Sequence, residues 1–239
     1  MNEMLKPITS DSLKDVFVAR FEELILSGKI SIGQKLPSER ELAIQLNVSR
    51  PVVHEGLVDL ASKGLVTMMP RVGTAVNDYR KEGSLSMLTT LVNYHKGDLN
   101  SKLLQSMMEM RILFEVETAR LAALNRSEKH LREFHDILAN ESQMDLADSE
   151  SAAELDFAFH HLLAMASNNF IYPLLINSFK QVYTNLSGQA LTAETLPEIY
   201  AFHHKLVQAI EARDEKQAMD VMRRMLVHGE ENFRALTRK

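Results

Sequence analysis

Between Leu36 and Leu57 the apolar positions recur at the spacing of two short helices. Leu42, Ala43 and Leu46 form the buried face of the first, and Val53, Leu57, Leu60 and Ala61 the stripe of the second. Ser38 precedes Glu41 by three residues, the spacing of a capping box in which hydroxyl and carboxylate each take a backbone N–H. Asn47-Val48-Ser49 closes the first helix, because Asn tolerates the left-handed conformation of a tight turn. Ser49 can cap the next helix, and Pro51 fits its first turn, where an N–H has no helical partner. After Gly64 the pattern turns β-prone: Leu65–Met69, a turn at Pro70-Arg71-Val72-Gly73, and a returning strand at Thr74-Ala75-Val76.

From Ser84 onward the periodicity is helical almost throughout. Glycine is scarce there, proline occurs only at Pro173 and Pro197, and strand-like alternation is absent. The spacing predicts helices near 85–96, 101–125, 127–146, 151–167, 170–190, 195–213 and 215–236. Short connections imply an antiparallel bundle. The predicted fold is therefore mostly α, with a small β-wing near the amino terminus. Its expected divisions are a first domain over 1–78, a joint over 79–84 around Lys81-Glu82-Gly83-Ser84, and a helical domain over 85–239.

A tight helical pair followed by a hairpin has the geometry of a winged helix-turn-helix, whose second helix enters the DNA major groove. Ser49, Arg50 and His54 are left facing outward on that helix, as donors within reach of guanine edges and phosphates. Arg71 at the wing tip would lie near the minor groove or the backbone. The same order of elements can be an ordinary packing unit, but the basic tip on the wing favours DNA.

Charge bears on how such a protein would bind. The net charge is −5, and residues 1–80 hold ten basic and ten acidic side chains. Residues 81–239, with 17 basic and 22 acidic, carry all of the excess. Neither part has the basic surplus of a nonspecific DNA binder, so binding must rest on a local basic surface and on two copies per operator. With no cysteine, neither a disulfide framework nor a thiolate metal site is possible. No apolar run reaches membrane-spanning length and no signal peptide is evident, so a cytoplasmic protein is expected.

One constellation in the helical part carries chemistry. Asp156 and His160 are four residues apart on one helix face, and His203 sits on a later helix. A carboxylate and imidazoles from facing bundle helices can hold Zn, Ni or Mn. A helical surface pair would also explain the Asp-x-x-x-His spacing. Arg111 lies among Met107, Met108, Met110, Ile112 and Leu113, where an unpaired charge would be costly. It reads either as a salt bridge to Glu115 or Asp156, or as the anchor of a carboxylate ligand. Asn177, Gln181 and Thr184 form a polar stripe that suits a solvated face slightly better than a pocket wall.

From about Leu13 to Val76 the chain resembles the winged-helix domain of the GntR family of bacterial transcription regulators. The marks are Gly33-x-x-Leu36-Pro37-Ser38-Glu39-Arg40, Val48-Ser49-Arg50, Gly64-Leu65-Val66 and Gly73-Thr74. The resemblance implies that Arg40 and Arg50 contact DNA. Where the family usually has a further arginine this chain has His54, which cannot make the bidentate guanine contact of arginine, so the family's usual operator is not implied.

Residues 84–239 resemble the all-helical FCD effector domain of the FadR subfamily. The marks are Arg111-x-x-x-Glu115 with Ala122-Ala123, Asp156-x-x-Phe159-His160, Ala166-Ser167-Asn168-Asn169, and His203 ahead of Ala209-Ile210. The resemblance implies a metal on Asp156, His160 and His203, but the fourth ligand position falls on Met225, and His228 is displaced by one turn. It also implies an effector near Arg111. Asn169-Phe-Ile-Tyr172 and Tyr200-Ala-Phe-His-His-Lys-Leu206 resemble the acyl-CoA-responsive branch, which lacks the metal. The expected protein is a homodimeric repressor released from operator DNA by a small carboxylate, with a divalent metal as its possible cofactor. The alternatives are a metal-independent acyl-CoA sensor and a metal-dependent enzyme with a DNA-binding head.

Overall fold

A computed structural model describes residues 12–94, 101–181, 183–184, 188 and 191–237. The chain divides into two compact units, one ending at Tyr94 and the other following it. The first holds α1 (Leu13–Leu26), α2 (Glu39–Leu46), α3 (Arg50–Ser62), β1 (Val66–Met69), β2 (Gly73–Val76), α4 (Tyr79–Glu82) and α5 (Met87–Tyr94). In the second, α6 is Ser101–Asn125, α7 Glu128–Gln143, α8 Ser149–Ala166 and α9 Tyr172–Ser178, with α10 at Leu196–Glu211 and α11 at Glu215–Thr237.

The local rules act as the residues dictate. Ser38 and Glu41 make the reciprocal capping box of α2, Asn47 is left-handed at φ 53°, and Ser49 caps α3 by accepting from the Val52 N–H. Phe17, Phe21, Leu42, Val53, Leu57, Leu60, Leu65 and Val76 are buried in one core, with Ala61 and Leu46 half-buried against it. Two glycines decide how tightly this core closes. A Cβ on Gly56 would stand 2.3 Å from the Phe17 ring, so only glycine lets α1 and α3 approach this closely. Gly64 has φ +79° and lies against the Glu82 carbonyl, which a Cβ would meet at 2.0 Å. The strands pair antiparallel, with Val66 opposite Val76 and Met69 opposite Gly73.

The joint expected at 79–84 is instead structured. Asp78 caps the short α4, and Ser84 donates its N–H to the Lys63 carbonyl and its hydroxyl to that of Ser62. Met87 of α5 is buried in the winged core, and Thr90 donates to Glu22 of α1. The helix expected over 85–96 thus belongs to the first unit as α5, and its last two positions lie outside the described residues.

In the second unit α6 packs against α8, α10 and α11, α7 against α8 and α10, and α8 against α9. Phe134, Phe159, Leu163, Leu196, Leu206, Ile210 and Met222 are fully buried there. The single helix expected over 170–190 is interrupted. Asn168 is left-handed, Asn169 accepts from the Ile171 and Tyr172 N–H groups, and α9 then ends at Ser178 with Phe179 as its cap. Lys180, Gln181, Tyr183 and Thr184 are helical again, while 182, 185–187 and 189–190 lie outside the described residues.

Candidate functional site

The exposed end of α3 is the first candidate surface. Arg50, His54 and, on α2, Arg40 are exposed, as is Ser49 at the cap. Ser49 spends its hydroxyl oxygen on the Val52 N–H, which leaves its O–H as the donor for a partner. Glu39 adds a feature the residue-by-residue reading did not include. Its Oε1 lies 2.8 Å from His54 Nδ1 and its Oε2 3.9 Å from Arg50 Nη2. Arg71 stands exposed at the wing tip with φ 64°.

The second candidate is buried in the helical unit. Asp156, His160 and His203 each offer a ligand atom, and these atoms lie within 4.8 Å of one another. All three side chains are buried. Each imidazole has its Nδ1 against a carboxylate from another helix. His160 Nδ1 closely contacts Glu115 of α6, and His203 Nδ1 lies 2.5 Å from Glu141 Oε1 of α7. Both Nε2 atoms then face Asp156 Oδ1, at 3.9 Å from His160 and 3.5 Å from His203. A carboxylate on the outer nitrogen fixes tautomer and ring orientation for a ligand at the inner one. Phe159 stacks on the His203 ring at 3.8 Å and completes its packing.

Electrostatics set the protonation of this cluster. Burial alone would raise the Glu115 pKa, but Arg111 and His160 outweigh it and hold the carboxyl at about 2. Asp156 is likewise lowered against its burial, chiefly by His203 and His160. Burial would lower the His203 pKa, yet Asp156 and Glu141 raise it to about 9. Tyr200 rises to about 12, through burial and then through Glu141 and Asp156. Three carboxylates and one guanidinium leave a deficit of two positive charges, which would be costly in a core. Protonation of His203 offsets part of it, and one divalent cation on neutral imidazoles would offset all of it. The donor set therefore fits a metal, and the buried His203 Nε2, without a hydrogen-bond partner, stands where a ligand atom is required.

Met225 is buried and His228 pairs instead with Glu198 at 2.8 Å, outside this group. Arg111 is engaged: Nε donates to Glu115 at 2.6 Å, Nη2 to the Tyr183 hydroxyl, and the guanidinium lies 4.2 Å from the Tyr183 ring centre. Beside it is a cavity of about 30 Å³ lined by Met107, Met110, Phe114, Ile176 and Phe179. That is room for about one water. Phe114 also lines an open groove of about 770 Å³ with Ile112, Leu113, Tyr172 and Arg223. Asn177 and Gln181 are exposed, and the half-buried Thr184 bonds back to the Lys180 carbonyl, so that stripe is a solvated face.

Glu141 and Tyr183 escaped the sequence reading. Phe134, Leu138 and Glu141 share the buried face of α7, and an acid at a core position was the available signal. Tyr183 carried none, because an aromatic residue at helical spacing is ordinary core.

Residues 13–76 match the profile of bacterial regulatory proteins of the gntR family, and residues 77–239 match the FadR C-terminal domain. The chain is 30% identical over 228 residues to the HTH-type transcriptional regulator Mce2R of Mycobacterium tuberculosis, covering 91% of this chain and 92% of that one. It is 29% identical over 202 residues to the fatty acid metabolism regulator protein of Proteus mirabilis, covering 84% and 82%. It is also 29% identical over 205 residues to the HTH-type transcriptional regulator LutR of Bacillus subtilis, covering 83% and 91%. Among solved structures, Lar, described as controlling expression of the Listeria monocytogenes agr system, aligns over 95% of this chain and 99% of its own. The TM-score is 0.65 at 15% identity, a likeness of fold.

Proposed function

The chain belongs to the gntR family of bacterial regulatory proteins and carries a FadR C-terminal domain, and on that premise we propose that it is a repressor released from operator DNA by a small carboxylate. Two copies would bind one operator, each inserting α3 in a major groove, because neither part of the chain has the basic surplus for lone binding. Acting on DNA would keep it in the cytoplasm.

The observation that carries the effector half is the buried cluster of Arg111, Glu115, Glu141, Asp156, His160 and His203. So much ionised chemistry in a core is costly, and hydrophobic packing alone would be at least as stable. Asp156, His160 and His203 would hold a divalent cation, which supplies open coordination positions for a carboxylate. Arg111 would give up one of its present partners to form a bidentate pair with the same ligand.

A second reading, an acyl-CoA effector without metal, is favoured by the apolar groove that shares Phe114 with the Arg111 cavity. The similarity to a fatty acid metabolism regulator points the same way.

Gel-shift titration on the selected operator tests both halves. Arg50→Ala is expected to abolish sequence preference with an unchanged thermal midpoint, since one bidentate base contact is worth about 1–3 kcal/mol. DNA release by small organic acids, lost on chelation and in His160→Ala, supports the first effector reading. Release by long-chain acyl-CoA, indifferent to chelation, supports the second. Met225→His should tighten metal binding in elemental analysis if the first holds.

A further inference from the structure

Arg50 and His54 lie four residues apart on one exposed face of α3. Both stand near one carboxylate from the other helix of the pair, an acceptor for His54 and a charge neighbour of Arg50. Glu39 opens α2, and its carboxylate reaches both: His54 Nδ1 at 2.8 Å and Arg50 Nη2 at 3.9 Å. The Glu39 side chain is 28% exposed, against 56% for His54 and 67% for Arg50, so the carboxylate sits deeper than the two side chains it faces.

A carboxylate can only accept, so the nitrogen facing it carries the proton. A neutral imidazole has one proton, and here it is spent on Glu39. Nε2, across the ring, is left as a bare acceptor. This inverts the chemistry of arginine, which has donors only. A negative charge beside the DNA-reading face also lowers attraction to phosphate, so the pair contributes orientation rather than nonspecific affinity.

We propose that Glu39 fixes the tautomer of His54 and thereby makes it read an amino group in the major groove, adenine N6 or cytosine N4, where an arginine would read guanine O6 and N7. The inference rests on the reading of α3 as the recognition helix. It makes Glu39 a positioning residue for base choice and His54 the residue that sets the operator of this chain apart.

The test is selection of binding sites from randomised duplex DNA by the full-length protein, under alkaline conditions that keep imidazole neutral. The parent, His54→Ala and Glu39→Gln are compared. One base position should lose its preference in His54→Ala, and in the parent that position should hold adenine or cytosine. Replacing that base by purine or 2-pyrimidinone, which lack only the amino group, should weaken the parent about tenfold and leave His54→Ala unchanged. Glu39→Gln, whose amide can accept or donate, should admit guanine at the same position with an unchanged thermal midpoint. Guanine or thymine selected there by the parent overturns the proposal, as does a His54→Ala profile identical to the parent's. A parent that selects no sequence at all sinks the DNA-binding reading, and the base assignment with it.

Discussion

Arg71 holds φ 64° at the tip of the wing, a region that residues with a side chain rarely occupy. The Val72 N–H closes onto the Met69 carbonyl, with Pro70 and Arg71 between them, and the third position of such a turn favours glycine. An arginine there costs about 1 kcal/mol of stability. Arg71→Gly is therefore expected to hold or raise the thermal midpoint while weakening operator binding. The slope of log affinity against log salt should fall by about one ion, as for a lost phosphate contact. Unchanged affinity and slope would make the wing tip structural. A second residue-scale outcome concerns Glu141, whose carboxylate is buried against His203. Glu141→Leu should cost about 3 kcal/mol in denaturant unfolding because it strands a buried partner. Glu141→Gln, which still accepts from Nδ1, should cost clearly less. Equal losses would show that the charge of the carboxylate, not the hydrogen bond, matters.

At the scale of elements, the crossing of α1 and α3 depends on one missing methyl. Phe17 stacks on Phe21 at 4.4 Å and is buried, so its ring has nowhere to retreat from a Cβ at position 56. Gly56→Ala is expected to destabilise the winged unit by about 1–3 kcal/mol, the cost of overpacking, despite alanine's better helix propensity. A variant more stable than the parent in calorimetry would show that the helices can part without loss. The same two helices are tied by charge. Lys63 lies 2.8 Å from both Glu22 and Asp59, and Lys14 lies 3.1 Å from Asp59. Burial opposes ionisation of Asp59, yet Lys63 and Lys14 hold its pKa below the usual carboxylate range. A depressed folded-state pKa stabilises at pH above the unfolded value of about 3.9, and the contribution is lost as pH falls through the folded value. Asp59→Asn should flatten the loss of stability as pH falls below the ordinary carboxylate range; parallel profiles would remove Asp59 from acid unfolding.

For the molecule as a whole, the proposed switch is a coupling between an effector site in the helical unit and operator binding by the winged unit. Coupling free energy is reciprocal. Whatever factor the effector takes from operator affinity, the operator must take from effector affinity, typically about 5–150-fold. Calorimetry of the effector with and without operator, set beside gel shifts with and without effector, should give equal factors. Unequal factors would mean that more than one effector molecule binds, so that a single coupled site does not describe the switch. Arg111→Gln should reduce the factor while operator affinity without effector stays within twofold. The small cavity beside Arg111 means that a carboxylate seated there would have to open the bundle, since about 30 Å³ does not admit one.

Local chemistry made the winged unit readable from the amino-acid sequence. The capping box at Ser38 and Glu41, the left-handed Asn47, the Ser49 cap and the glycine-marked turns each act within a few residues, so a linear pattern encodes them. Asp156 and His160 were legible as a pair for the same reason, since four residues make one helical turn. Their meeting with His203 depended on which helix faces touch, and the resemblance supplied that expectation. Only the tertiary structure decided that Glu115 and Glu141 hold the outer nitrogens of the two imidazoles and that Arg111 is spent on Glu115 and Tyr183. It also gave α5 to the winged core through Met87 and Thr90, and set Glu39 against His54 fifteen positions away. Each of these joins residues from separate elements. No periodicity records such a contact, because it is selected by the packing of whole faces rather than by the residues between.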